Sequence, residues 1–167
     1  MPKDKDHNNL IGDIHNNHKD SHTEVKIQET YTPIDQLTPR YRDLFAAMLH
    51  EDDTIANEAY DNILFERALA VPYLCNQYDL AHHKTAQDRK LRYFCIQLLG
   101  FSGSKSAKNT VIHALSDEDP YVRKEALYAV EDLKIKSATD QVRNRLQDLD
   151  GEVRRVAQEV YDYLLSM

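Results

Sequence analysis

A chain of 167 residues is long enough for one ordinary domain with a continuous core, and its 4 Gly and 5 Pro, set mostly outside the apolar-periodic stretches, point to helices rather than a turn-rich sandwich or barrel. The formal net charge of −7 repels phosphate backbones and anionic lipid, so neither nucleic acid nor a membrane surface is an expected partner. No run approaches the roughly 18 apolar residues that a spanning helix needs, and the 2 Cys, Cys75 and Cys95, make no disulfide framework, which fits a soluble, cytoplasmic protein.

In chain order, residues 1–30 are rich in Asn, Asp, Lys and His and lack apolar periodicity, which predicts a flexible arm ahead of a folded domain over residues 31–167. His15, His18 and His22, with His7 nearby, have a spacing that could gather Zn or Ni by imidazole if the arm folded around it. A solvated low-complexity tail is the alternative reading, and no cofactor is assigned to the chain. The stretch from Thr23 to Gln28 alternates polar and apolar, so it could lie extended against the first helix or against a partner. A helix is predicted near residues 38–50. Ile55, Ala59 and Ile63 then form the stripe of a second helix, and Ala70-Val71-Pro72-Tyr73-Leu74 opens a third.

From residue 88 onward the chain repeats itself. A shift of 31 residues carries Asp119, Val122, Arg123, Ala126 and Val130 onto Asp150, Val153, Arg154, Ala157 and Tyr161, and backwards onto Asp88, Leu91, Arg92, Cys95 and Leu99. The same shift brings Ser106-Ala107 and Leu115 onto Ser137-Ala138 and Leu146. Each unit reads as an outer helix with apolar residues at i, i+4 and i+8 (Val122, Ala126, Val130), a short loop, and an inner helix striped by Ala138, Val142 and Leu146. Asp119 before Pro120 and Asp150 before Gly151 are start signals, because an aspartate caps exposed amides and proline suits the first helical turn. Gly100 and Gly103 fall where the outer helix hands over to the inner one. The pattern predicts three helix pairs, with one helix before them and one near residues 150–166 after them.

These residues resemble the HEAT-like repeat of the phycobilisome-lyase type, in which a D-x-x-V-R-x-x-A-L outer helix is followed by an A-V-P-x-L inner helix. The resemblance covers roughly residues 38–166 and implies an all-α superhelix, a solenoid of stacked helix pairs. It also gives a meaning to Asp88/Arg92, Asp119/Arg123 and Asp150/Arg154, which look like the family's ladder between repeats: the aspartate caps a helix while the arginine reaches an aspartate of its own or a neighbouring unit. Three arginines gripping an anionic ligand is the competing reading. Cys95 aligns with Ala126 and Ala157 at a small position between helices, so both it and Cys75 read as core thiols.

Stacked pairs usually bind partners on the concave face, which the inner helices line. There Ala107, Val111 and Leu115 turn inward and leave Asn109, Ile112 and His113 toward solvent, and one repeat later the candidates are Asp140, Arg143 and Asn144. The set is polar and adaptable, unlike a catalytic constellation. Ten Tyr against 0 Trp, with Tyr121, Tyr128 and Tyr163 on outward registers, add an interfacial flavour. Leu164, Leu165 and Met167 on the last helix offer an edge through which the chain could form a homodimer.

Related repeats that do chemistry make demands this chain does not meet. Deoxyhypusine hydroxylases hold iron with His-Glu pairs, where this chain has Tyr93-Phe94, Lys124-Glu125 and Arg155-Val156, and its one His50-Glu51 pair sits at a helix junction. Repeat-built alkylpurine DNA glycosylases want a basic, aromatic concave face. The expectation is therefore a non-enzymatic adaptor that binds a protein or peptide on its concave face, and the alternative is a bilin-lyase-like or chaperone-type protein handling a cofactor-bearing polypeptide.

Overall fold

The computed structural model describes residues 38–81 and 85–167, and among them every regular element is helical. The α-helices are α1 (Pro39–Met48), α2 (Asp53–Glu66), α3 (Val71–Leu80), α4 (Ala86–Phe101), α5 (Lys108–Ala114), α6 (Pro120–Asp132), α7 (Thr139–Arg145) and α8 (Gly151–Ser166). Short 3₁₀ turns over Arg67–Ala70, Lys105–Ala107 and Lys136–Ala138 lead into α3, α5 and α7. The three pairs α2/α3, α4/α5 and α6/α7, with α1 before and α8 after, are those the period predicts.

Side-chain caps start the outer helices. Asp52, Asp119 and Asp150 each accept from backbone amides of the first turn, at 2.8–3.3 Å, which satisfies donors that have no partner inside the helix. Asp88 departs from the expected pattern. The cap of α4 is Thr85, which accepts from the Asp88 N–H at 3.0 Å while its hydroxyl donates to the Asp88 carboxylate, so Asp88 sits at the third helical position as the partner of the cap. The outer helices also end alike, because Arg67, Gly103 and Lys134 all have positive φ (48°, 68° and 53°) in the turn toward the inner helix. After α6 that turn is closed by Lys134 N–H to the Glu131 carbonyl and Ile135 N–H to the Val130 carbonyl.

The outer helices stack in series, α4 on α6 and α6 on α8, while α3, α5 and α7 each pack against the next outer helix. One continuous core results. Val122, Ala126 and Val130 of α6, Ala107, Val111 and Leu115 around α5, and Ala138 and Val142 around α7 are fully buried, and each valine or leucine among them contributes about 1.5–3 kcal/mol by leaving water. In α8 the stripe runs through Val153, Val156, Ala157, Val160 and Leu164, with Tyr161 only half-buried at its edge. Gly100 is a helical residue rather than part of the handover loop. It lies near the end of α4, where an added Cβ would stand 3.1 Å from Ala129 Cα and Cβ of α6. Its lack of a side chain lets the two outer helices approach closely. At the other end, Tyr41 of α1 stacks on Tyr73 of α3 at 3.8 Å between ring centroids, and Tyr41 and Arg40 both bind the Glu66 carboxylate.

Candidate partner-binding face and the ladder beneath it

The repeated arginines hold the array together, but their partners are not the aspartates that cap the helices. Arg92 lays its guanidinium edge on Asp117, with Nε to Oδ2 at 2.9 Å and Nη2 to Oδ1 at 3.1 Å, and its other nitrogen donates to the Ala81 carbonyl at 2.8 Å. Arg123 repeats this on Asp148 at 2.9 and 2.7 Å, with its remaining nitrogen on the carbonyls of Asp117 and Glu118. Arg154 makes the carbonyl half of the same arrangement, to Asp148 and Leu149 at 2.6 and 3.0 Å. Each arginine thus binds the loop that precedes its own helix, and Arg92 and Arg123 also bind the loop one repeat on. The ladder reading holds for the arginines, and the acceptor aspartates are 117 and 148. The reason is reach. Asp119 and Asp150 are occupied by the amides they cap, whereas Asp117 and Asp148, two residues earlier, point back across the junction.

These rungs are buried. Arg92 is 2 % exposed and Asp148 is 7 % exposed, so each charge depends on its partner. Asp117 also accepts from the Tyr78 hydroxyl at 2.8 Å and from the Asp119 N–H at 2.9 Å. Burial, followed by that carboxylate, pushes the Tyr78 hydroxyl far above its usual range. Burial alone would raise the Asp148 carboxyl too, but Arg123, the Asp150 N–H and Arg145 together hold it below the usual carboxylate range. Such rungs are scaffold, with no free guanidinium edge at Arg92 or Arg123 for an anionic ligand.

Above the first rung lies a cleft of about 220 Å³ lined by Tyr78, Arg92, His113, Ser116, Asp117 and Glu118. His113, one of the predicted contact residues, stands on its rim and meets the Tyr78 ring edge-on at 6.0 Å. Asn109 is exposed beside it on α5, whereas Ile112 is half-buried against the core. On α7, Asp140, Arg143 and Asn144 are exposed, and Asp140 and Arg143 pair with each other at 3.1 Å. Only His113 of the six lines the cleft; Asn109, Asp140, Arg143 and Asn144 are exposed polar residues outside it. The residues that sequence reasoning missed here are Tyr78, Asp117 and Asp148. Asp117 and Asp148 carried a signal, since they stand 31 residues apart inside Asp117-Glu118-Asp119 and Asp148-Leu149-Asp150. Tyr78 carried none.

Cys75 and Cys95 are both buried, and burial pushes Cys75 up to about 11 and Cys95 higher still, so neither is poised as a nucleophile. Among the described residues no group of three or more His, Cys, Asp or Glu is placed to hold a metal ion. His15, His18 and His22, with the rest of the predicted arm, lie outside the described residues. At the last helix Leu164 is buried, while Leu165 and Met167 are exposed. The outward side of α8 is polar, with Arg155 on Glu152 and Glu159, and Gln158 on Asp162. Among the described residues no helix is long and apolar enough to cross a membrane.

No curated protein matches the chain. Residues 80–162, from the end of α3 into α8, match the sequence profile of HEAT repeats, and with the stacked pairs and the arginine ladder of that stretch this supports a HEAT-like repeat array.

Proposed function

We propose that this protein is a non-catalytic adaptor that binds a protein or peptide along the inner-helix side of its array, across α5 and α7. The observation that carries the reading is the cleft beside His113. Asn109 is exposed on the same helix as His113, Asp140, Arg143 and Asn144 are exposed on the next inner helix, α7, and all are carried by a frame whose repeat junctions are fixed by buried ion pairs. A rigid polar face with one aromatic-walled cleft suits a peptide chain, which supplies both hydrogen-bonding groups and a side chain to seat. HEAT repeats commonly mediate protein–protein contact, and that analogy of fold points the same way. The finer resemblance to the phycobilisome-lyase type rests on the repeat signature.

The test is recovery of the tagged full-length chain from its native lysate beside a variant carrying Asn109→Ala, Arg143→Glu and Asn144→Ala, followed by titration of any co-purifying protein against both. Loss of binding in a variant with unchanged helical content supports the α5/α7 face. Equal binding moves the site elsewhere, and pigment absorbance in the recovered complex would favour the lyase or chaperone alternative.

A further inference from the structure

A different surface of the array concentrates cations, most of which meet no carboxylate among the described residues. Lys105, Lys108, Lys134 and Lys136 line a cleft of about 170 Å³ together with Leu133, Ile135 and Ser137. The cleft is built from the turns that join α4 to α5 and α6 to α7, where the repeat places Lys105 and Lys136 at one position, 31 residues apart. Lys136 is committed, since its amine donates to the Leu164 carbonyl in the last turn of α8. Among the described residues the other three meet no carboxylate. Elsewhere Arg40, Arg92, Arg123, Arg143, Arg145 and Arg155 have acidic partners.

Three local choices at this cleft run against stability. The lysines repel one another in a space of one small pocket. Lys105 and Lys108 lead into the amino-terminal end of α5, the end of a helix where a positive charge is unfavourable. Lys134 holds φ 53° at the position that Gly103 fills one repeat earlier with φ 68°, and a side chain in that conformation costs about 1 kcal/mol. Costs that coincide at one surface, where three amines meet no carboxylate among the described residues, fit a site kept for binding.

We propose that this cleft docks an acidic polypeptide segment that carries one aliphatic anchor. The three amines would face the carboxylates, and the anchor would sit on Leu133 and Ile135. About 150 Å³ is enough to hold a benzene-sized group, so the cleft has room for one such side chain. Lysines spread over two turns act as separate point charges, unlike the forked arginine or converging amides that grip a single phosphate. The lining has no aromatic ring on which a base could stack.

The experiment uses the full chain and a fluorescein-labelled synthetic peptide of glutamates flanking a single leucine, read by anisotropy at low and physiological salt. Binding should saturate, weaken with salt, and fall at least about tenfold in Lys134→Gly and in Lys105→Glu/Lys108→Glu. Lys134→Gly is the decisive variant, because glycine suits the backbone there and its melting temperature should match or exceed the parent's. Replacing the peptide's leucine by serine should weaken binding as well. Retained affinity in both lysine variants overturns the proposal, as does equal displacement of the peptide by inorganic phosphate, by a single-stranded oligonucleotide or by phosphatidylserine vesicles at matched charge. The Asn109→Ala, Arg143→Glu, Asn144→Ala variant should bind the peptide unchanged, which separates this site from the α5/α7 face.

Discussion

Asp117→Ala tests the ladder most directly. Asp117 takes both guanidinium bonds of Arg92, the Tyr78 hydroxyl and the Asp119 N–H, all within 2.8–3.1 Å. Its removal leaves Arg92, 2 % exposed, with only the Ala81 carbonyl and a long contact to Glu118 at 3.4 Å. Stripping one partner from a buried pair costs about 3–5 kcal/mol, and the orphaned tyrosine hydroxyl brings the total toward the upper end of that range. Native domains are stable by only about 5–15 kcal/mol, so the variant should sit near the edge of folding. Urea unfolding followed by circular dichroism is the assay. Because Asp117 joins α4 to the α5–α6 loop, the transition should also broaden or split as the array loses coupling between repeats. Asp117→Asn, which keeps one acceptor oxygen for either the Tyr78 hydroxyl or the Asp119 N–H but not for both, should lose somewhat less. The control is Arg143→Ala, whose partner lies on the surface, and it should change stability by less than about 0.5 kcal/mol. A cost below about 1 kcal/mol for Asp117→Ala, with a single sharp transition, would refute the view that this rung carries the junction.

Three further outcomes follow from buried groups. Glu125 is buried on α6, and burial raises its carboxyl above the ordinary value of 4.5 although Gln97 and Tyr93 hydrogen-bond to it. A carboxyl raised in the folded state favours folding at acid pH and loses that contribution as pH rises through its folded value, so Glu125→Gln should stabilise the protein at pH 7 and make no difference below about pH 4. Thermal melts across that range would show it. Cys75 and Cys95 should react with a thiol reagent only after unfolding in urea, and fast labelling of either in the native protein would contradict the packing described. Gly100→Ala should destabilise by about 1–3 kcal/mol in urea unfolding through the 3.1 Å approach to Ala129. An unchanged midpoint would mean that α4 and α6 can separate freely.

The fold was legible because each repeat states it independently. Val122, Ala126 and Val130 recur at helical spacing, the period of 31 fixes which helix follows which, and Asp119-Pro120 and Asp150-Gly151 announce where outer helices begin. The ladder was half legible. Its arginines stand out because they recur, but the pattern offers two aspartates per junction, and only geometry decides that 119 and 150 cap while 117 and 148 receive the guanidinium. Asp88 looked like a third cap because the shift carries it onto Asp119, yet Thr85 precedes it and takes the role. Tyr78 was hidden, since nothing in α3 signals that its hydroxyl meets a carboxylate 39 residues away. Of the binding face, exposure could be read from the stripe that turns inward, but concavity could not. Which exposed residues share a cleft depends on how one inner helix lies beside the next loop, and that is a matter of packing rather than periodicity.

The ladder and the candidate face are one construction, and this constrains how function can be probed. His113 and Ser116 line the cleft on one side of the α5–α6 junction, and the same junction supplies Asp117 and Glu118, which hold Arg92 from the preceding repeat. The rung therefore sets the shape of the cleft while it joins the repeats. Substitutions at Arg92, Tyr78 or Asp117 would alter binding and stability together, and a loss of partner in such a variant would say little about contact. Asn109, Arg143 and Asn144 are exposed and outside the rungs, and Lys105 and Lys134 lie on the turns that follow the outer helices, with Lys108 at the start of α5. Binding lost at either set with the melting temperature intact would report contact itself. A protein whose stability resides in buried junctions leaves its surface residues free to specify partners, and that separation makes the two sites distinguishable by experiment.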